Sequence, residues 1–251
     1  MNKDIRKNEI YNIIQSRGSV DINYLAKEFN VSGMTIRRDI NALEELHLVQ
    51  RSYGKVFLND KQPEEGSFEM RSIKNVEGKR HIANLASAFL EDANSIYLDG
   101  STTSYALLDV LHHKPKLTVF TNNIPTFTSL IELSNINAFL FGGMYDSNLQ
   151  SLDSSYLLTS IKDIFVDVAF VSCNGFNTSA VLNNGITNID EKRIMIENAS
   201  TTILLADNSK FNVSGIFKVC NWNDIDIFIT DKVLDANVAN IISSFGVKIL
   251  W

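Results

Sequence analysis

The sequence contains little of what marks secreted or membrane proteins. It has only two cysteines, Cys173 and Cys220, and both lie in or beside apolar, strand-like stretches. Two such thiols provide no disulfide framework, so we expect both to be reduced packing residues. No stretch approaches the ~18 consecutive apolar residues of a membrane span, and the charged N-terminal segment has no signal-peptide core. These absences predict a cytoplasmic protein.

Charge of either sign is not in large excess. Hydrophobic residues make up 45% of the chain and charged residues 21%, as in ordinary globular proteins, which argues against extensive disorder. The net charge of −6 argues against a general nucleic-acid coat protein, but residues 1–58 carry +2 and the remainder −8. A small, slightly basic head on an acidic body is compatible with a head that contacts DNA.

Residues 1–58 show the pattern of three helices followed by a β-hairpin. Apolar residues recur at helical spacing over residues 4–16, and Gly18 ends that pattern. Asp21 and Ser32 are suited to cap a second and a third helix. Two short strand-like runs, LVQR and KVFL, are joined by Ser52-Tyr53-Gly54 and must pack on the helices to be stable. The order predicts a winged helix-turn-helix domain.

The third helix carries residue types that read DNA. A helix-turn-helix places the start of its second helix in the major groove, where arginine contacts guanine or phosphate and threonine or methionine contacts a thymine methyl. The alternative for Arg37 and Arg38 is a solvated face with a local ion pair to Asp39. The combination of cap, paired arginines and hairpin favours DNA binding. The predicted DNA contacts are Ser32, Met34, Thr35, Arg37, Arg38, Arg51 and Tyr53.

A polar linker is predicted over residues 59–77, with Phe68, Met70 and Ile73 apolar enough to order part of it. From residue 78 to 251, apolar strands alternate with helical patterns, the first three of which extend through Leu111, Leu133 and Ile164. This alternation predicts an α/β domain with a largely parallel sheet covered on both faces. The predicted strands are 95–99, 117–121, 138–141, 166–172, 202–206, 227–230 and 247–250.

Small and polar residues follow several of these strands, at the edge where α/β sheets bind ligands. Glycine permits close approach, hydroxyls and amides bind oxygens, and a helix start binds anions. Lysines, here Lys210 and less surely Lys192, supply positive charge. Ser/Thr/Gly runs also form ordinary turns, but the convergence of four loops favours an effector site. The predicted residues are Asp99, Gly100, Ser101, Thr102, Thr103, Thr121, Asn122, Gly142, Gly143, Lys192, Asp207 and Lys210.

Both regions resemble the DeoR family of bacterial regulators. The segment VSGMTIRRDINALEELHLVQRSYGKV is similar to the family's winged helix-turn-helix, whose usual run is V-S-x-M-T-I-R-R-D-L. The family's D-S-G-T-T, T-N, G-G and A-D-x-S-K-F runs correspond to residues 99–103, 121–122, 142–143 and 206–211. The resemblance implies a sensor domain similar in fold to ribose-5-phosphate isomerase A. It also implies a DNA-binding repressor that forms a homo-oligomer, dimer or tetramer, and responds to a phosphorylated sugar-like effector.

Three departures from the family pattern are visible. The wing has Tyr53-Gly54-Lys55 where the family commonly has His-Gly-Gly, and Ser172-Cys173-Asn174-Gly175 replaces G-A-D-G. The family's G-L-T-T is usually separated from the next Lys-Arg by a longer segment than the one between Thr187 and Lys192 here. The family pattern alone therefore does not fix the role of Lys192.

Two alternatives remain open at the level of sequence. The body could be an isomerase-like enzyme using Asp99 or Asp207, although Asn174 and the DNA-binding head argue against catalysis. It could also serve only to assemble oligomers around a DNA-binding head. We therefore expect no enzyme activity and no cofactor. We also expect no metal site, because no His/Cys cluster has ligand spacing. His47 is expected at a helix end, His81 on a helix surface, and His112-His113 in a loop.

Overall fold

The computed structural model describes residues 3–46, 48–59, 66–112, 114 and 116–251. These residues separate into two compact units, Met1–Glu77 and Gly78–Trp251. His47, His113 and residues 60–65 of the predicted linker lie outside the described residues. In the described part of the chain, no helix has the length and apolar character that crossing a membrane requires.

The first unit contains the predicted three helices and hairpin. Its sheet is antiparallel with the order β1-β3-β2, so a short strand before the second helix extends the hairpin. The elements are α1 (Lys3–Arg17), β1 (Ser19–Asp21), α2 (Ile22–Glu28), α3 (Gly33–Glu45), β2 (Val49–Ser52), β3 (Lys55–Leu58) and α4 (Phe68–Ile73).

Local chemistry explains where the helices of the first unit begin and end. Gly18 adopts φ 73° after α1, a conformation that only glycine takes without strain. The Asp21 carboxylate accepts hydrogen bonds from the amides of Asn23 and Tyr24, and the Ser32 hydroxyl accepts one from Thr35. The predicted stop and both predicted caps are confirmed.

The core of the first unit is formed by apolar side chains from all three helices. Ile10 and Ile14 of α1 pack with Leu25 of α2 and with the buried face of α3. Met70 and Ile73 of α4 join this core, so a part of the predicted linker is ordered, as expected.

The second unit is built on one seven-stranded sheet. All seven predicted strands are present and parallel, in the order β15-β14-β12-β9-β4-β5-β6. Separate apolar clusters cover its two faces, as predicted. The strands are β4 (Ser95–Leu98), β5 (Leu117–Thr121), β6 (Ile136–Leu140), β9 (Val166–Val171), β12 (Ala199–Leu205), β14 (Ile227–Ile229) and β15 (Lys248–Leu250).

The connecting segments differ from the predictions in several places. A small antiparallel sheet of three further strands was not predicted. Cys220 ends one of these strands, and Cys173 and Cys220 are both buried in one apolar core cluster, consistent with packing roles. The predicted helix through Leu111 is two short helices, and the one through Leu133 ends at Leu130. The elements are α5 (Val76–Ala86), α6 (Thr102–Tyr105), α7 (Leu108–Leu111), α8 (Ile124–Leu130), β10 (Gly175–Phe176), β11 (Val181–Asn183), α10 (Ile189–Glu197), β13 (Phe217–Cys220) and α11 (Ala236–Ser243).

The predicted helix through Ile164 is wrong. The segment forms a hairpin of β7 (Met144–Asp146) and β8 (Ser151–Asp153), followed only by the short helix α9 (Leu158–Ile161). The Asp146 carboxylate accepts hydrogen bonds from the amides of Asn148 and Leu149 and so closes the turn. Turn chemistry of this kind competes with helix formation, which the apolar spacing did not reveal.

Candidate DNA interface and effector pocket

The start of α3 presents a polar face to solvent. Met34 is 74% exposed, and Arg37 and Arg38 are exposed, whereas Ile36 and Ile40 on the opposite face are fully buried. Ser32 caps the helix, and its hydroxyl lies 2.9 Å from that of Thr35. The predicted recognition residues of α3 therefore lie on the side of the helix that does not pack in the core.

Asp39 does not form the local ion pair that was the alternative for the two arginines. Its carboxylate is fully buried and pairs with the Arg6 guanidinium of α1, at 2.5 Å between Nε and Oδ2. Arg37 and Arg38 make no hydrogen bond or ion pair with the described residues. Their charge remains available to a polyanion.

The wing is a tight two-residue turn. Tyr53 and Gly54 adopt φ 50° and 77° between the paired residues Ser52 and Lys55. Both central residues with positive φ define the hairpin turns that match strand twist. Tyr53 is fully exposed. Arg51 is less free than predicted, because its guanidinium pairs with Glu44 at 2.5 Å.

In the second unit, Asp99 connects three segments at the carboxyl ends of the strands. Its Oδ1 accepts hydrogen bonds from the Ser104 hydroxyl at 2.6 Å and the Ser101 amide at 3.2 Å. Its Oδ2 accepts one from the Ser172 amide at 2.7 Å and lies 2.8 Å from the Lys192 ammonium. Burial alone would raise the pKa of Asp99, but Lys192 and these hydrogen bonds hold the pKa below its ordinary value.

The two candidate lysines have different surroundings. Lys192 is buried, and its ammonium is engaged by the Asp99 carboxylate and, at 2.6 Å, by the Ser172 carbonyl. Lys210 is half-buried and donates to two neutral hydroxyls, that of Ser172 at 2.9 Å and that of Thr103 at 3.3 Å. Of the two, Lys210 is the better placed to meet an anion.

Asp207 also remains ionised. Burial acts to raise the pKa of this carboxyl group, but Lys210, the Ser209 hydroxyl and then Lys79 lower it below the ordinary value. Its side chain accepts a hydrogen bond from the Ser209 amide at 3.1 Å, which fixes the start of the loop that carries Lys210. Asp207 therefore positions Lys210.

Thr121 ends β5, the strand beside β4, and Asn122 follows it. The Thr121 hydroxyl accepts a hydrogen bond from the Asn123 amide at 3.2 Å, while Asn122 Nδ2 donates to Glu191 Oε2 at 3.2 Å. A Cβ atom at Gly100 would lie 3.1 Å from Asn122 Oδ1. The loops after β4 and β5 therefore meet, as predicted.

Gly142 and Gly143 contact the end of the neighbouring β7–β8 hairpin and the residue that follows it. The Gly142 carbonyl accepts a hydrogen bond from the Ser154 hydroxyl at 2.8 Å. Gly143 adopts φ 151°, and a Cβ atom there would lie 2.0 Å from the Asp153 carbonyl oxygen. The close approach at Gly143 is thus made by the protein's own backbone.

Glu191 was missed by the sequence analysis. It is buried, accepts a hydrogen bond from the Tyr97 hydroxyl at 2.8 Å, and has its pKa raised to about 7, mainly by burial. A signal was present, because Glu191 lies one helical turn before the fully buried Met195. Asn188, also missed, donates from Nδ2 to the Ser151 hydroxyl at 2.9 Å.

The described residues contain no His/Cys/Asp/Glu cluster that could hold a metal ion. His81 lies exposed on α5, as predicted, and His112 follows the end of α7.

Comparison with known proteins matches both units of the chain. Residues 6–62 match the DeoR-like helix-turn-helix domain, and residues 74–232 match the DeoR C terminal sensor domain. The chain is 33% identical to the HTH-type transcriptional regulator IolR of Bacillus subtilis, over 93% of both chains. It is 28% identical to the lactose phosphotransferase system repressor of Staphylococcus epidermidis, over 92% of this chain and 93% of that one.

Among solved structures, ribose 5-phosphate isomerase A from Methanocaldococcus jannaschii aligns with this chain at a TM-score of 0.40 and 16% identity, over 55% of each chain. Both matched domains and the full-length relatives are those of regulators, so the enzyme alternative finds no support. The chain therefore belongs to the DeoR family of DNA-binding transcriptional regulators.

Proposed function

We propose that the protein represses genes of sugar or related metabolism in the cytoplasm, binding operator DNA through α3 and the wing as a dimer or tetramer. The exposed pair Arg37 and Arg38 supplies charge-assisted contacts to guanine or phosphate. Met34 of α3 and Tyr53 of the wing, both exposed, supply apolar contacts. One small head makes few contacts, which favours an oligomer on a repeated operator.

We further propose that a phosphorylated sugar-like effector binds at the strand ends of the second unit. The observation that carries this proposal is the Lys210 ammonium, held between the hydroxyls of Thr103 and Ser172. The amides of Thr102 and Thr103 lie in the first turn of α6 and lack acceptors within that helix. An anion beside Lys210 would receive charge-assisted hydrogen bonds there. Asp99 and Lys192, paired with each other, hold the loops.

The test of this proposal removes the charge of Lys210 without removing its volume. Lys210→Met should abolish binding of inorganic phosphate and of sugar phosphates in calorimetry, and it should leave operator affinity unchanged. Lys232→Met is the matched control, because Lys232 is an exposed lysine of the same unit. Retention of phosphate binding in Lys210→Met would refute the site.

The same measurements distinguish the proposal from a body that only assembles oligomers. If no sugar phosphate binds the wild-type protein or changes its affinity for operator, the sensing role is refuted. Linkage requires that an effector which changes DNA affinity has its own affinity changed by DNA to the same factor. Titrations in both directions must therefore agree.

A further inference from the structure

Two buried amide oxygens at the effector site have no hydrogen-bond donor among the described residues. They are Oδ1 of Asn122, a residue with no exposed surface, and Oδ1 of the half-buried Asn188. Buried polar groups in native proteins are almost always satisfied, and exceptions are concentrated where an ion, water or ligand completes them. A bound group that brings hydrogen-bond donors would satisfy both oxygens.

Asn122 lies beside the backbone at Gly100, and Asn188 is connected to the same place through Ser151. A Cβ atom at Gly100 would lie 3.1 Å from Asn122 Oδ1 and 3.5 Å from Ser151 Cβ. Asn188 Nδ2 donates to the hydroxyl of that same serine at 2.9 Å. A single buried side chain, Ser151, therefore separates Asn188 from the loop that leads to Thr102 and Thr103.

Each amide is oriented by a partner for its nitrogen. Asn122 Nδ2 donates to Glu191 Oε2, and Glu191 is itself held by the Tyr97 hydroxyl through Oε1. When Glu191 is ionised, turning the Asn122 amide would place the amide oxygen against a carboxylate oxygen, so Glu191 acts as a positioning residue in that form. Asn188 Nδ2 is engaged by Ser151, and its backbone is fixed at φ 63° before α10.

We propose that Asn122 and Asn188 accept hydrogen bonds from hydroxyl groups of the effector, and that Asn188 determines which hydroxylated phosphates the site prefers. This inference rests on the proposed function, which supplies the anion site beside Lys210. Amide oxygens only accept hydrogen bonds. These oxygens therefore favour binding of a hydroxyl group, and they disfavour a second phosphate or a carboxylate group at the same place.

The test compares phosphates with and without hydroxyl groups. The probes are methyl phosphate and a panel of aldose, ketose and polyol phosphates, titrated into the full-length protein by calorimetry. The wild-type protein should bind at least one hydroxylated phosphate about tenfold or more tightly than methyl phosphate, as expected for buried hydrogen bonds. Asn188→Gly should remove about tenfold of that preference and leave affinity for methyl phosphate within about twofold.

Glycine is the right replacement because it accepts φ 63° without strain. Asn184→Gly, in the exposed part of the same loop, is the matched control and should keep the preference. Thermal melts establish that both variants fold.

Each outcome has one meaning. If Asn188→Gly retains the preference for hydroxylated phosphates, the inference is overturned while the proposed phosphate site stands. The inference is likewise overturned if Asn184→Gly loses the preference equally, or if no hydroxylated phosphate surpasses methyl phosphate. If neither methyl phosphate nor any member of the panel binds, the proposed function fails, and this inference fails with it.

Discussion

The buried carboxyl group of Glu191 should make the second unit less stable at alkaline pH. Its pKa is raised from the ordinary 4.5 to about 7, first of all by burial. The unfolded chain releases this proton near 4.5, whereas the folded protein keeps it up to about 7. The stabilisation is therefore fully present below 4.5 and is lost as the pH rises through 7.

The magnitude follows from the two pKa values. A difference between 4.5 and about 7 corresponds to about 3 kcal/mol of unfolding free energy as an upper value. Glu191→Gln removes the titration and resembles the protonated acid in shape and hydrogen bonding. At pH 5 the variant should be within about 1 kcal/mol of the wild type. At pH 8 to 9 it should be more stable, by an amount approaching the upper value.

The assay is urea unfolding of both proteins between pH 5 and pH 9, followed by tryptophan fluorescence. Both tryptophans, Trp222 and Trp251, lie in the second unit, so the signal reports on that unit alone. Groups that titrate in both proteins cancel in the difference. Glu197→Gln, an exposed position of the same helix, should show no pH-dependent difference. A difference for Glu191→Gln that is constant from pH 5 to 9, or a loss of stability at high pH, refutes the reasoning.

Three further predictions concern the head and the hairpin. Arg37→Ala and Arg38→Ala should each weaken operator binding in a mobility-shift assay and leave the melting temperature unchanged. Loss of a base contact should cost roughly 1–3 kcal/mol, whereas loss of a phosphate contact should reduce the slope of log affinity against log salt concentration by about one. Full affinity in both variants contradicts the recognition surface. Tyr53→Asn should stabilise the head by about 1 kcal/mol in urea unfolding, because asparagine tolerates the left-handed turn better than tyrosine, and yet should weaken operator binding; unchanged binding removes the wing from the interface. Gly143→Ala should lower the free energy of unfolding by about 3 kcal/mol or more, because the added Cβ would lie 2.0 Å from the Asp153 carbonyl oxygen. Gly185→Ala, with open space around it, should change that free energy by about 0.5 kcal/mol or less. Equal effects would contradict the packing argument.

The strands of the sheet were predictable because burial on both faces leaves a continuous apolar run. Strand β9 is such a run, with almost every side chain buried, and its neighbours read in the same way. The helix caps were predictable because Asp21 and Ser32 act on backbone groups two or three residues away. Interactions this local are visible in the order of residues alone.

The hairpin of β7 and β8 and the contacts of Asn122 and Glu191 were not predictable in this way. The amide of Leu152 donates to the Asn122 carbonyl at 2.8 Å, and the amide of Ile124 donates to the Gln150 carbonyl at 2.9 Å. These bonds join segments about thirty residues apart, so no local pattern announces them. The burial of Glu191 was signalled only by its spacing to Met195, and its partners were hidden because Tyr97 and Asn122 lie far away in the sequence.

The ion pair between Arg6 and Asp39 has a consequence for how the protein responds to ionic strength. Salt screens exposed charges strongly and buried pairs far less. The bond that fixes α3 against α1 is buried, whereas Arg37 and Arg38 on the same helix are exposed. Added salt should thus weaken DNA binding while the first unit stays folded. The salt dependence of operator affinity then counts phosphate contacts directly, free of any contribution from unfolding of the head.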